Sequence, residues 1–166
     1  MVQVRQATKS DVPAMLALHR EAVRRTASAF HSQNVVHSWT SGSDPENAPA
    51  TIARMRQRLS SGEMVGYVAE IENKIVGFGE LAPQENELRA VYVHPDHGRK
   101  GIGGQLMQAL DQAARDLGMP ELKMDASINA EAFYTRHGFE VVERGEHTLR
   151  NGLKMACVKM RKSLAR

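Results

Sequence analysis

A single cysteine, Cys157, in 166 residues excludes an intrachain disulfide framework and suits a reducing compartment such as the cytoplasm. Its alternating surroundings, Lys154 to Lys159, read as strand, with Cys157 a small core residue rather than a nucleophile. Long apolar runs are missing as well. No stretch of about 18 apolar residues exists to cross a membrane, and the opening MVQVRQATKSDVP has no apolar signal-peptide core. Aromatics are only 5% of the chain and net charge is a modest +3. A nucleic-acid module needs a basic stripe with interleaved aromatics, so no nucleic-acid partner is expected. The one basic concentration, Lys159, Arg161, Lys162 and Arg166, reads as a solvated C-terminus. The 7 histidines show no ligand spacing of the H-E-x-x-H kind, so no metal is expected.

What is present is the composition of an ordinary globular domain, 42% apolar and 25% charged, without repeat, low-complexity tract or linker, and one domain over 1–166 is expected. Residues 2–6 alternate as a first strand. Thr8 and Asp11 have capping-box spacing, Pro13 is tolerated in a first helical turn, and Met15, Leu16, Leu18, Ala22 and Val23 recur at helical intervals. The helical pattern fades at 27–30, 41–49 is polar loop, and 51–59 forms a further helix. The period then changes to two: 64–71 and 75–81 form a hairpin about a turn at 72–74. Strand 86–94 precedes a helix ending near Leu117, where Gly118 and Pro120 stop it. Strand 122–126, helix 129–137 and a final hairpin of 139–143 with 153–160 complete the order β-α-α-β-β-β-α-β-α-β-β. That order is an α/β fold around a mixed, mostly antiparallel sheet flanked by helices.

The most informative segment runs Val91-Tyr92-Val93-His94-Pro95-Asp96-His97-Gly98-Arg99-Lys100-Gly101-Ile102-Gly103-Gly104. A strand enters a glycine-rich turn and leaves as an amphipathic helix with Ile102, Leu106, Ala109, Leu110, Ala113 and Leu117 as its apolar stripe. Glycines let backbone approach a ligand, and a helix start leaves N–H groups without acceptors at its positive end. Arg99 and Lys100 add charge beside them, so a diphosphate suits the site. No G-x-x-x-x-G-K-[ST] string exists, which excludes a triphosphatase loop. A G-x-G-x-x-G frame starting at Gly101 meets Leu106 where its last glycine belongs, and hairpins replace the crossovers of a dinucleotide fold.

The segment resembles the acetyl-CoA signature of the GNAT superfamily of N-acetyltransferases, [QR]-x-x-G-x-[GA], read as Gly98-Arg99-Lys100-Gly101-Ile102-Gly103 with Gly98 departing at the first position. A second family element, N-x-x-A-x-x-[FL]-Y-x-x-x-G-F, is similar to 129–139, and 22–28, Asp125-Ala126-Ser127 and Trp39 resemble the YafP-like branch. The resemblance implies a GNAT fold with a splayed central strand pair and acetyl-CoA as acetyl donor. It also implies direct transfer to the amine of a small molecule or peptide, by a monomer or homodimer. It assigns backbone of Val91, Tyr92 and Val93 to pantetheine and the acetyl carbonyl, an oxyanion-type contact. The amides of Arg99, Lys100, Gly101, Ile102, Gly103 and Gly104 fall to the diphosphate.

Asn129 is either a pantetheine ligand or a bare N-cap, and Tyr134 either the acid that protonates the departing thiolate or an interior aromatic. For the base, Glu87 resembles the glutamate of histone-acetylating members, with Glu80 and Asp125 as rivals. Alternation puts Glu87, Arg89, Val91 and Val93 on one face, and four strand residues span roughly 13 Å, so Glu87 would act through water. His31, Ser32, His37 and Trp39 fall where the family caps the acceptor, as a pocket wall or a surface loop. A CoA-binding sensor without turnover is the alternative function, and retention of Tyr134 favours the enzyme.

Overall fold

The computed structural model describes residues 1–164. The first strand, β1 (Gln3–Gln6), is tied by charge to the turn after it. Asp11 accepts from two Arg5 nitrogens at 2.8 Å each and from the Thr8 backbone N–H at 2.7 Å. Arg5 above all, then the Thr8 amide, holds this carboxyl down to about 2. The turn launches α1 (Val12–Thr26), which buries Val12, Met15, Leu18, Ala22 and Val23. A short helix unread in the sequence, α2 (Gln33–Trp39), comes next, with Ser32 accepting from the Val35 N–H as its N-cap. The third helix, α3 (Ala48–Ser61), starts inside the stretch expected to be loop, with Pro49 in its first turn.

The period-two region forms β2 (Val65–Ile71) and β3 (Lys74–Ala82), joined through Glu72 and Asn73 at φ 51° and 64°, the left-handed pair of a tight hairpin turn. After β4 (Glu87–Val93) come α4 (Ile102–Asp116), β5 (Glu121–Ser127), α5 (Glu131–Arg136), β6 (Glu140–Thr148) and β7 (Lys154–Ser163). The strands make one sheet in the order β1-β2-β3-β4-β5-β7-β6, antiparallel except for β4 against β5. One face packs on α1 through Met15, Leu18, Val68 and Phe78, and the other on α4 through Ile102, Leu106, Met107 and Leu110. On β3, a Cβ added at Gly79 would sit 2.5 Å from Leu110 Cδ1, so α4 approaches where a side chain is missing.

Two expectations change. Leu117 lies past the last turn of α4 and is 51% exposed, while Met107 and Ala114 complete the buried stripe. The basic tail is strand rather than a loose terminus: Lys159, Arg161 and Lys162 lie in β7 and pair with Asp125, Glu121 and Asp111. Arg166 lies outside the described residues. Cys157 is buried on β7, as its alternation predicts.

Candidate active site

The sheet is weakest at its centre. Strands β4 and β5 share a single register pair, Glu87 with Lys123, backed by Lys123 N–H donating to the Asn86 carbonyl at 2.8 Å. Beyond that pair they part, and a cavity of about 250 Å³ opens between them. Its walls include Glu87, Val91, Tyr92 and Val93 from β4, Asp125 from β5, and Asn129 and Tyr134 beyond it. Seven residues singled out from the sequence therefore meet in one space, with Trp39 of α2 and His147 of β6 completing its wall. Of the group around Trp39, His31 packs edge-on against the indole at 5.8 Å between ring centroids.

The expected common face of Glu87, Val91 and Val93 is broken. Leu81 pairs with Leu88 and Glu80 with Ala90, so Arg89 is an extra residue, a β-bulge. One extra residue reverses the pleat. Leu88, Val91 and Val93 all pack toward α4, which leaves Glu87 on the α1 side with Ala90 and Tyr92. Arg89 reaches sideways to Glu85 at 2.8 Å and Glu87 at 3.3 Å.

The three carboxylates differ in surroundings. Partial burial raises Glu87 above the ordinary range, with Arg89 opposing. Burial pushes Asp125 up too, but hydrogen bonds from His147 and Lys159 outweigh it and leave the group lowered. Glu80 does not line the cavity. It is buried in β3 between its partners Gly66 and Ala90, and burial raises it to about 7 against Arg89 and Arg58.

Tyr134 is buried, which drives its phenol far above its usual value, while the Val91 backbone N–H faces the oxygen and opposes the shift. Such a phenol is a proton donor at every physiological pH. Asn129 does not open α5 as expected; it sits in a 3-10 turn, Ile128–Ala130, ahead of it. Its Oδ1 is buried without a hydrogen-bond partner. Tyr92 lines the cavity, and its ring packs toward α1, edge-on to His19 at 4.8 Å and beside Phe78.

The glycine turn continues from the Val93 end of the cavity and is not part of its wall. Gly101 caps α4 at φ 80°, where a side chain would be strained. The first N–H to find a carbonyl is that of Gln105, on Gly101 at 3.1 Å, so those of Ile102, Gly103 and Gly104 face the turn without acceptors. A Cβ at Gly101 would meet nothing within 4 Å and one at Gly98 only the Pro95 carbonyl at 3.6 Å, so this side is open. At Gly103 a Cβ would lie 2.8 Å from the Phe133 ring, so its missing side chain also serves α4–α5 packing while its N–H stays free. Free amides beside exposed Arg99 and Lys100, followed by a slot with an orphaned amide oxygen, fit a diphosphate carrying a pantetheine arm.

Comparison with known proteins agrees. A family model described as "Acetyltransferase (GNAT) domain" matches residues 27–164. The chain is 27% identical over 143 residues to the uncharacterized N-acetyltransferase YafP of Escherichia coli K12, covering 86% of this chain and 84% of that protein. A GCN5-related N-acetyltransferase from Rhodopseudomonas palustris superposes with a TM-score of 0.83 at 28% identity, over 97% of this chain and 94% of that one. YncA from Salmonella typhimurium, solved with its cofactor acetyl-CoA, has the same fold at 22% identity and a TM-score of 0.71, over 100% and 95% of the two chains.

Proposed function

The chain belongs to the GNAT acetyltransferase family, and on that footing we propose that it carries the acetyl group of acetyl-CoA to a primary amine by direct transfer in a ternary complex. The observation that carries the reading is the cavity between β4 and β5, where the Val91 N–H, the Tyr134 hydroxyl and two carboxylates meet. When bound, acetyl-CoA supplies an activated acetyl thioester. The amides of residues 99–104, with Arg99 and Lys100, hold the diphosphate; Asn129 and the backbone of residues 91–93 hold the pantetheine arm. The Val91 N–H, which faces the Tyr134 oxygen in the free protein, transfers its donation to the acetyl oxygen as negative charge develops there, and so frees the phenol for the sulfur. Tyr134 gives its proton to the leaving sulfur. Glu87 and Asp125 attract the incoming ammonium and form the acidic wall that receives its proton, directly or through water. Cys157 is buried in β7 and takes no acetyl group, so one domain acts without a covalent intermediate. The single buried thiol also supports a cytoplasmic site of action.

The test is an acceptor panel of L-phenylalanine, spermidine, 2-phenylethylamine and an alanine-terminated peptide, read as free CoA thiol. Tyr134→Phe keeps the ring and removes the proton. Acetyl-CoA binding is expected to survive while turnover falls by about 10² or more. Unchanged turnover, with chemistry limiting, would reduce Tyr134 to packing.

A further inference from the structure

His147 enters the cavity wall from β6, two strands away from Asp125, and no sequence spacing links the two. Its Nδ1 lies 3.0 Å from Asp125 Oδ2. The other carboxylate oxygen, Oδ1, accepts from Lys159 Nζ at 3.2 Å. The arrangement is built into the register. Asp125 faces Lys159 across β5 and β7, and His147 faces Met155 across β6 and β7. Between them Gly145 leaves room for the lysine, since a Cβ there would come within 3.2 Å of Lys159 Cε. The charged groups around the ring are Asp125 from β5, Lys159 from β7 and Glu87 from β4, the last offset by Arg89.

An ionised carboxylate only accepts, so the hydrogen in the Asp125–His147 contact belongs to Nδ1. The neutral ring then carries its lone pair on Nε2. We propose that His147 is the group that takes the proton from the acceptor's ammonium, with Asp125 as the positioning residue that fixes its tautomer and orientation. The inference rests on the acetyl-transfer reading and gives the proton to a side chain that the acidic wall holds in place, rather than to either carboxylate. In the step, one N–H bond of the ammonium breaks and an N–H bond forms on Nε2. The freed nitrogen lone pair attacks the acetyl carbon, and the ring's new positive charge is balanced by Asp125. The ring, 47% exposed, then releases the proton to solvent. The ring suits the task better than Asp125, whose two oxygens are taken by the ring and by Lys159 and whose hydrogen bonds hold it lowered.

Two measurements on the full chain decide it. Nitrogen-15 NMR of the ring, without ligand, is expected to show the neutral Nδ1–H tautomer, and Asp125→Ala to lose that preference, because the acceptor that fixes it is gone. A neutral Nε2–H tautomer overturns the proposal. In turnover of the best acceptor of the four-compound panel, His147→Ala is expected to lose about 10²-fold at pH 7, to regain part of it with added imidazole, and to approach wild type at high pH. Wild-type rates and pH profile in His147→Ala overturn it and return the proton to Glu87. If the wild-type protein binds acetyl-CoA in calorimetry yet releases CoA with no acceptor, the acetyl-transfer reading fails separately, and the tautomer alone decides the pairing.

Discussion

On the proposed reading, the donor turn and the acceptor cavity beside it are built from different materials. The donor end is backbone and exposed charge: free amides from 102 to 104 and the side chains of Arg99 and Lys100, all within one short stretch of chain. The acceptor end is side chains brought from distant elements: Trp39 on α2, Glu87 and Arg89 on β4, Asp125 on β5 and His147 on β6. Behind the acceptor end, on the α1 side, lie two ionisable groups, half-buried His19 against Tyr92 and buried Glu80 beside Ala90. A ligand common to a family can be held by peptide groups, which do not depend on side-chain identity. A variable ligand needs side chains, and ionisable groups that their surroundings hold toward the neutral form couple that end to pH.

The largest expected effect lies in that support. Burial raises Glu80 from 4.5 to about 7, so the folded state holds its proton longer than the unfolded chain. Stability therefore falls as pH rises from 4.5 to 7, by up to about 3 kcal/mol at ~1.4 kcal/mol per pH unit. Burial lowers His19 from 6.5 to about 4, so the unfolded chain takes up a proton first. Its contribution falls as pH drops from 6.5 to 4, by a similar amount. The two slopes oppose each other between 4.5 and 6.5, and wild-type stability is expected to be nearly level there. Glu80→Gln is expected to unmask a rise toward pH 6.5 and His19→Phe a fall toward pH 7, measured by urea unfolding across pH. Level curves in both variants would show that neither group is coupled to folding.

The same contrast explains what was legible in the sequence. The hairpin at 64–81 and the turn at 98–104 announce themselves because period and turn residues are local. The bulge at Arg89 carries no glycine or proline, so simple alternation put Glu87 on the wrong face. Helix α2 has seven residues, too few for periodicity to show. Strand β6 was expected to end at Glu143 but runs to Thr148, because an edge strand with nearly every residue exposed has no apolar alternation to read. His147 was hidden for that reason, and its partner Asp125 is joined to it only through sheet order. Asn129, Tyr134 and the residues of β4 could be singled out because they lie in local motifs, and the structure brings them to one cavity.

A smaller effect separates the two ends directly. Reversing both donor-end cations, Arg99→Glu with Lys100→Glu, is expected to weaken acetyl-CoA binding by about 30-fold, roughly 2 kcal/mol at low salt and less at high salt. Affinity for acetylpantetheine, which lacks the diphosphate, should be unchanged. At the other end, Glu87→Gln should keep acetyl-CoA affinity within about twofold while the acceptor's KM rises. Wild-type acetyl-CoA affinity in the double reversal would remove the diphosphate from this turn.

The smallest effect sharpens the donor end to one residue. Arg99 sits at φ 61°, in the left-handed region that costs a non-glycine residue about 1 kcal/mol, and its side chain is exposed with no ion pair among the described residues. A strained position whose charge holds nothing in the free protein is explained by a ligand that uses the charge. Arg99→Gly relieves the strain but gives the unfolded chain more freedom, an offset of several tenths of a kcal/mol. Net stability is therefore expected to rise by about 0.5 kcal/mol, a shift of a degree or two in Tm for a chain of this size. Acetyl-CoA affinity is expected to fall by about threefold to fivefold, the loss of one partly screened charge. The opposite signs carry the argument. If calorimetry finds acetyl-CoA affinity unchanged while stability rises, the guanidinium has no part in holding the donor. If stability falls, the left-handed turn depends on Arg99 for a contact within the fold.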